Sequence, residues 1–450
     1  MHLERVVLVL VCSVGVSTFG QFVGQTVVPR KSRAADFAVT VERRTLPNGL
    51  VVLLSPDARA NEVAVELTFG CGALRHSSAR GGLAHLVEHA LASGPTPETD
   101  YQALLEARGA TDFNGATSMD ALAYTVVVPP EELPFALWVH ADRLGRRTEL
   151  TSPESLTRHR RIVLQEKLMR VEDASYGAAM RMAFRYLYAK SHPLHEGVIG
   201  TAATLESITV DDVNTFARTC LVPNNAVLTL AGRFTVDEVM RTLEGTLGRV
   251  PRGAELPPIP KTGQLPATAT HDVTEDVARR PRVTLVWTIP ALGADDAFAL
   301  SLGATLLPVY TDGLIGMHVE SDFVSSGPGG LFALSVTTPH PLDPAEPAAN
   351  ADVVLRNLTF SPLPADVVAA SYHQLDQRVL ASLTSMPSRA ALLTELYRET
   401  DGRSELARLD RHWQYSPEKL NVDTARFLKG THVIIESKPT RPLPPKRNLK

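Results

Sequence analysis

After its first sixteen residues this 450-residue chain has no apolar run long enough to cross a bilayer, and it has no surplus of positive charge. With 45 Lys and Arg against 49 Asp and Glu, the formal net charge is -4. That excludes the basic footprint of a nucleic-acid binder. An apolar content of 44% with so small a net charge also excludes a disordered chain. Cysteine is scarce: Cys12, Cys71 and Cys220 are the only three, and none stands in a metal or redox spacing. Cys71 and Cys220 either pair in an oxidising compartment or stay as buried free thiols, and their separation does not decide between the two. No short-period repeat occurs.

Residues 1–20 read as a secretory signal, with Arg5, an apolar stretch over 6–16, and small residues at Ser17, Thr18 and Gly20. Cleavage after Gly20 gives a periplasmic or secreted protein. The alternative is an uncleaved N-terminal anchor, although the stretch is short for a span. Residues 251–271 hold Pro251, Pro257, Pro258, Pro260 and Pro266 and read as a linker. They separate a domain over 38–250 from a second over 272–438, and the proline-rich tail 439–450 is expected to be disordered.

Hydrophobic periodicity predicts strands over 51–54, 62–69, 121–128 and 226–230, with helices over 81–92, 101–108, 129–144, 153–172, 210–219 and 235–247. The second half repeats the style, with strands over 282–289, 330–337 and 433–436 and helices over 295–307, 363–383 and 387–399. The class is α+β, in two halves of similar size.

One segment carries chemistry: Gly82-Leu83-Ala84-His85-Leu86-Val87-Glu88-His89-Ala90-Leu91. Positions i, i+3 and i+4 share a helix face, so His85 and His89 can hold one metal ion with Glu88 beside them. Zinc lowers the pKa of bound water, and Glu88 is placed to take its proton during attack on a peptide carbonyl. The carboxylate follows the first histidine by three, the inverted H-x-x-E-H order. Glu166, on the helix over 153–172, sits among apolar neighbours and is the candidate third ligand. Two histidines at i and i+4 also arise by chance on solvated helices, but this helix has few solvating charges. His76, His140, His192, His195, His340, His373 and His412 are scattered and read as surface or satisfied core residues.

The first half resembles the pitrilysin and insulinase family, most closely its short processing-peptidase branch. The matching segments are Thr45-Leu46-Pro47-Asn48-Gly49, the H-x-x-E-H helix, Asn114 through Thr117-Ser118 to Tyr124, Ala141-Asp142, and Val163 to Glu166. They continue with His192-Pro193, Val198-Ile199-Gly200 and Pro223-Asn224-Asn225-Ala226-Val227-Leu228. The resemblance covers roughly residues 38–250 and puts the third zinc ligand at Glu166. It implies two related α/β-sandwich domains, each a mixed sheet packed with helices, forming half of a clam-shell chamber. It further implies that peptide is held by strand addition at Asn114, Gly115, Ala116 and Thr117. Asn114 read on its own is an ordinary turn asparagine.

Two departures are notable. The family's glutamate seven residues before the third ligand is His159 here, which could serve as a partner behind the ligands. The arginine and tyrosine that the family's second half offers to substrate have no match over 309–323. The expectation is a zinc endopeptidase acting on unfolded peptides, paired with a related non-zinc subunit or with its own copy. The alternative is a weakly active or non-catalytic peptidase-like subunit that serves as scaffold or peptide binder.

Overall fold

The computed structural model describes residues 39–94, 100–259, 268–275, 277–289, 318–324, 329–337, 351–353, 355–356, 365–399 and 416–440. The first sheet has six strands in the order β1-β2-β6-β3-β5-β4. These are β1 (Glu42–Thr45), β2 (Val51–Pro56), β3 (Val63–Phe69), β4 (Thr111–Thr117), β5 (Leu122–Val128) and β6 (Ala226–Gly232). The second has five, β7-β11-β8-β10-β9. They are β7 (Ala269–Glu275), β8 (Arg282–Ile289), β9 (His318–Val324), β10 (Gly330–Thr337) and β11 (Val433–Pro439).

The two sheets share one topology. β2 runs parallel to β6, and β7 runs parallel to β11. All the other matched neighbours are antiparallel: β6-β3-β5-β4 in the first sheet and β11-β8-β10-β9 in the second. β4 and β9 are therefore equivalent edge strands. The chain is a mixed α/β protein with two related sheets packed with helices.

Alternation along β3 is as the sequence predicts. Val63, Val65, Leu67 and Phe69 enter the main core with α1 (Leu83–Ala92), α3 (Leu133–Gly145) and α7 (Val210–Cys220). The polar side is not solvated, however. Helix Met386–Glu399 from the second half lies across it, with Met386 and Ala390 packed on Ala64, Val127 and Ala231. Leu393 fills the gap beside Leu53 and Val227. Glu66 and Thr68 are buried there, and the Thr229 and Thr394 hydroxyls meet at 2.7 Å. The buried Arg389 guanidinium lies 3.3 Å from Asp57. In return, the first half's helix Gly177–Leu187 covers one face of the second sheet, through Ala179, Ala183 and Leu187 against Val273, Val286 and Ala333. Each half thus lends one helix to the other.

Cys71, just past β3, is joined by a disulfide to Cys220 at the end of α7, with their Cα atoms 5.9 Å apart. The Asn225 amide donates to the Cys71 sulfur at 3.3 Å and to the Cys220 carbonyl at 3.0 Å. The bridge closes a long loop, so replacing both cysteines by alanine is expected to cost about 2–5 kcal/mol. Denaturant unfolding of the oxidised and reduced protein checks this; equal midpoints would exclude the contribution.

Several sequence expectations shift. β7 begins at Ala269, inside the stretch read as linker, and β11 runs on to Pro439, the first residue of the expected tail. The helix expected over 153–172 is α-helical only over Pro153–Lys167 and continues as a π-turn over Leu168–Glu172. β1, β4, β9, the helix Gly177–Leu187 and the helix Pro417–Leu428 join the expected elements. His140 is not a satisfied core residue: it is buried with neither ring nitrogen hydrogen-bonded, and His76 has only Nδ1 engaged. The expected helix over 295–307, the signal over 1–20, residues 309–317, His340, His412 and the tail past 440 lie outside the described residues.

Candidate metal centre

α1 starts at Gly82, whose backbone is left-handed at φ +89°. A Cβ there would lie 2.6 Å from the Ile199 carbonyl oxygen, so only glycine lets the helix start this close to the following loop. The helix is buried along nearly its whole length, and His85 and Glu88 are buried with it. α4 (Pro153–Lys167) packs against α1 and presents Glu166 to the same point.

The donor atoms converge. The Nε2 atoms of His85 and His89 are 3.3 Å apart. Glu166 Oε2 lies 3.3 Å from His85 Nε2, and Oε1 lies 3.6 Å from His89 Nε2. Glu88 Oε2 is 3.6 Å from His85 Nε2. His85, Glu88 and His89 also form a compact trio, with ligand atoms within 4.8 Å of one another. Burial pushes the Glu166 carboxyl up, but the two imidazoles outweigh it and hold the group well below the usual carboxylate range.

These residues fit a divalent cation. An ion bound tetrahedrally at about 2.0–2.2 Å holds its ligand atoms roughly 3.3–3.6 Å apart. The two imidazole–imidazole and imidazole–Glu166 spacings of 3.3 Å and the one of 3.6 Å match that. Two buried carboxylates beside each other are costly without a compensating charge. Glu166 Oε2 accepts no hydrogen bond, which leaves it available to a metal.

Glu88 is engaged differently. Its Oε2 accepts from the Thr117 hydroxyl at 2.9 Å, and its backbone carbonyl accepts from the Tyr124 hydroxyl at 3.3 Å. Its Oε1 lies against Gly115, where a Cβ would come within 2.5 Å. Thr117 and Gly115 belong to β4, the sheet edge. The structure therefore brings Asn114, Gly115, Ala116 and Thr117 onto the strand beside Glu88, with a bulge between Thr111 and Asn114 and Asp112 at φ +50°. Sequence reading placed Thr117 on the substrate side, but its hydroxyl faces Glu88.

His159 is buried with its ring 6.3 Å from that of His89, and neither of its nitrogens is hydrogen-bonded. Burial, with the nearby charges of His89 and Arg158, pushes its pKa down to about 4. It is an unbonded ring packed beside His89, not a hydrogen-bond partner of it.

Residues 51–197 match the family described as "Insulinase (Peptidase family M16)", and residues 207–357 match "Peptidase M16 inactive domain". The chain belongs to the M16 insulinase family. A Mycobacterium bovis protein described as an uncharacterised zinc protease is 28% identical over 287 residues, or 62% of this M16 chain. The match spans 64% of that relative's length. A probable mitochondrial-processing peptidase β subunit of Schizosaccharomyces pombe is 26% identical over 220 residues, 48% of this chain and 46% of that protein. Among solved structures, a protease from Helicobacter pylori aligns with a TM-score of 0.79 at 17% identity, covering 89% of this chain and all of that one. This last likeness concerns the M16 fold alone.

Proposed function

We propose that the chain is a zinc-dependent endopeptidase that hydrolyses unfolded peptides. The observation that carries this reading is the meeting of two imidazoles and the Glu166 carboxylate at tetrahedral spacing, with Glu88 held between them and a sheet edge. His85, His89 and Glu166 hold the ion. Zinc supplies polarisation, lowering the pKa of a coordinated water towards about 7. Glu88 takes the proton of the attacking water on its carboxylate and returns it to the leaving amine. The Thr117 hydroxyl fixes Oε2, the Glu88 oxygen that lies 3.6 Å from His85 Nε2. Among the described residues β4 has a sheet neighbour on one side only, and an extended peptide adding there would lie alongside Glu88.

Gly115→Ala tests this placement. The added methyl would come within 2.5–3.2 Å of the Glu88 Oε1, Cδ and Cγ atoms, so the buried side chain must shift; a folding cost of about 1–3 kcal/mol is expected, with cleavage falling about tenfold or more. Unchanged kcat/KM would detach Glu88 from the chemistry.

One observation favours the alternative, a weakly active peptidase-like subunit: a neutral, unbonded His159 stands behind His89 where the family places a glutamate. The processing-peptidase relative is a β subunit, which supports pairing of this chain with a related subunit inside a clam-shell chamber. The disulfide supports an extracytoplasmic location, and no helix among the described residues is long and apolar enough to cross a membrane. The deciding experiment is zinc content together with cleavage of an unstructured peptide library, with and without chelator. Near-stoichiometric zinc with chelator-sensitive cleavage is expected. Zinc without cleavage favours the subunit reading, and absence of zinc overturns the metal centre.

A further inference from the structure

The β4–β5 turn, residues 118–121, holds Thr117 in place and is gripped from two directions. Within the turn, Ser118 N donates to the Ala121 carbonyl at 2.9 Å. The Ser118 hydroxyl accepts from the Ala121 amide at 3.0 Å and donates to the Asp120 carboxylate at 3.2 Å. From the 3-10 turn Ala73–Arg75 that follows β3, the Ala73 and Leu74 amides donate to the Ser118 and Met119 carbonyls at 3.1 and 2.7 Å. From the second half comes Arg398, in the last turn of helix Met386–Glu399. Its guanidinium lies 2.9 Å from the buried Asp120 carboxylate, across 278 residues of sequence. Met119 packs into the cluster that includes Leu331 and Ala333 of the second sheet. The turn that follows Thr117 is thus held from both halves of the chain.

We infer that Arg398 is a positioning residue for Glu88, acting through Asp120 and the Ser118 turn to fix the Thr117 hydroxyl against the Glu88 carboxylate. The inference rests on the peptidase reading for its kinetic consequence only. The path is short: the guanidinium meets Asp120, Asp120 accepts from the Ser118 hydroxyl, and Thr117, the residue before Ser118, donates its hydroxyl to Glu88. A competing, structural role exists for Arg398. Its charge also reaches Glu66, a buried carboxylate on β3 that accepts from the Thr68 hydroxyl at 3.1 Å. The test must separate the two roles.

Arg398→Met and Asp120→Asn are made in the full chain and compared by hydrogen exchange and by peptide cleavage. Both variants are expected to speed exchange across 111–121 while leaving β6 and β3 protected. Each is expected to lower kcat about tenfold with KM within about twofold, since a small misplacement acts on the reacting geometry. Arg398→Lys restores most of the rate. In a Thr117→Val background neither substitution lowers kcat further, because all act through one hydroxyl. Exchange raised equally along helix Met386–Glu399 and β6, or rate losses that multiply with Thr117→Val, would overturn the inference in favour of charge compensation for Glu66. If the wild-type chain binds zinc yet cleaves nothing, the peptidase reading fails, and the exchange of 111–121 alone then decides the role of Arg398.

Discussion

Glu88→Gln is expected to leave zinc content unchanged and to lower peptide cleavage by roughly 10²–10⁴-fold. The amide has the shape of the carboxylate, and its carbonyl oxygen can still accept from the Thr117 hydroxyl 2.9 Å away. The buried packing of α1 is therefore retained. What is lost is a group that can take a proton at neutral pH. Zinc should stay because Glu88 Oε2 is engaged by the Thr117 hydroxyl, whereas the imidazoles and Glu166 face one another at 3.3–3.6 Å. Metal analysis and kcat/KM on one preparation decide the matter. A variant that cleaves like wild type removes Glu88 from the mechanism, and one that loses both zinc and activity makes it a ligand.

That second outcome has a structural basis, because proximity alone does not separate Glu88 from Glu166. The sequence did separate them. The inverted spacing puts Glu88 one residue before a ligand on the same helix, while Glu166 arrives on another helix. α1 was readable because ten residues alternate apolar and ligating types with helical period. α4 was readable up to Lys167 for the same reason, and its N-terminus is marked by Ser152, whose side chain accepts from Ser155 N. The π-turn that follows has no sequence mark.

Other elements were hidden for physical reasons. β4 reads Thr-Asp-Phe-Asn-Gly-Ala-Thr, short of β-formers and broken by a bulge, yet it is a strand because β5 pairs with it. β9 carries His318, Glu320 and Asp322 along an edge, where charge is tolerated and apolar alternation fades. The first three residues of β7 fall in the stretch read as linker because its proline-rich approach masks a strand that pairs in parallel with β11. The exchange of helices between halves was beyond sequence reasoning altogether. Only tertiary structure puts Glu66 and Thr68, the polar residues of β3, under helix Met386–Glu399. The same holds for His140 and His159, whose burial without partners no local pattern announces.

Glu166→Gln carries the complementary prediction: zinc affinity falls by more than about 100-fold, exceeding the loss typical of a changed outer contact. The amide leaves two neutral imidazoles as the only strong donors on that side and removes one of the two negative charges that a divalent cation balances. Arg170, 3.8 Å from Glu166 Oε2, would then face a neutral group and add to the repulsion of the ion. The metal-free protein should respond as well. Folding holds Glu166 below its unfolded value of 4.5, so its contribution to stability is present above that pH and is lost as pH falls through the folded pKa. The Gln variant lacks this contribution, so its metal-free stability should vary less than that of wild type as pH falls below 4.5. Zinc binding to wild type should itself weaken on acidification, because protons compete for His85 and His89. Isothermal titration with zinc and acid unfolding of the metal-free protein check the two halves separately. Full zinc retention in Glu166→Gln, with zinc lost in Glu88→Gln, would exchange the two carboxylates' roles and place the proton transfer on α4.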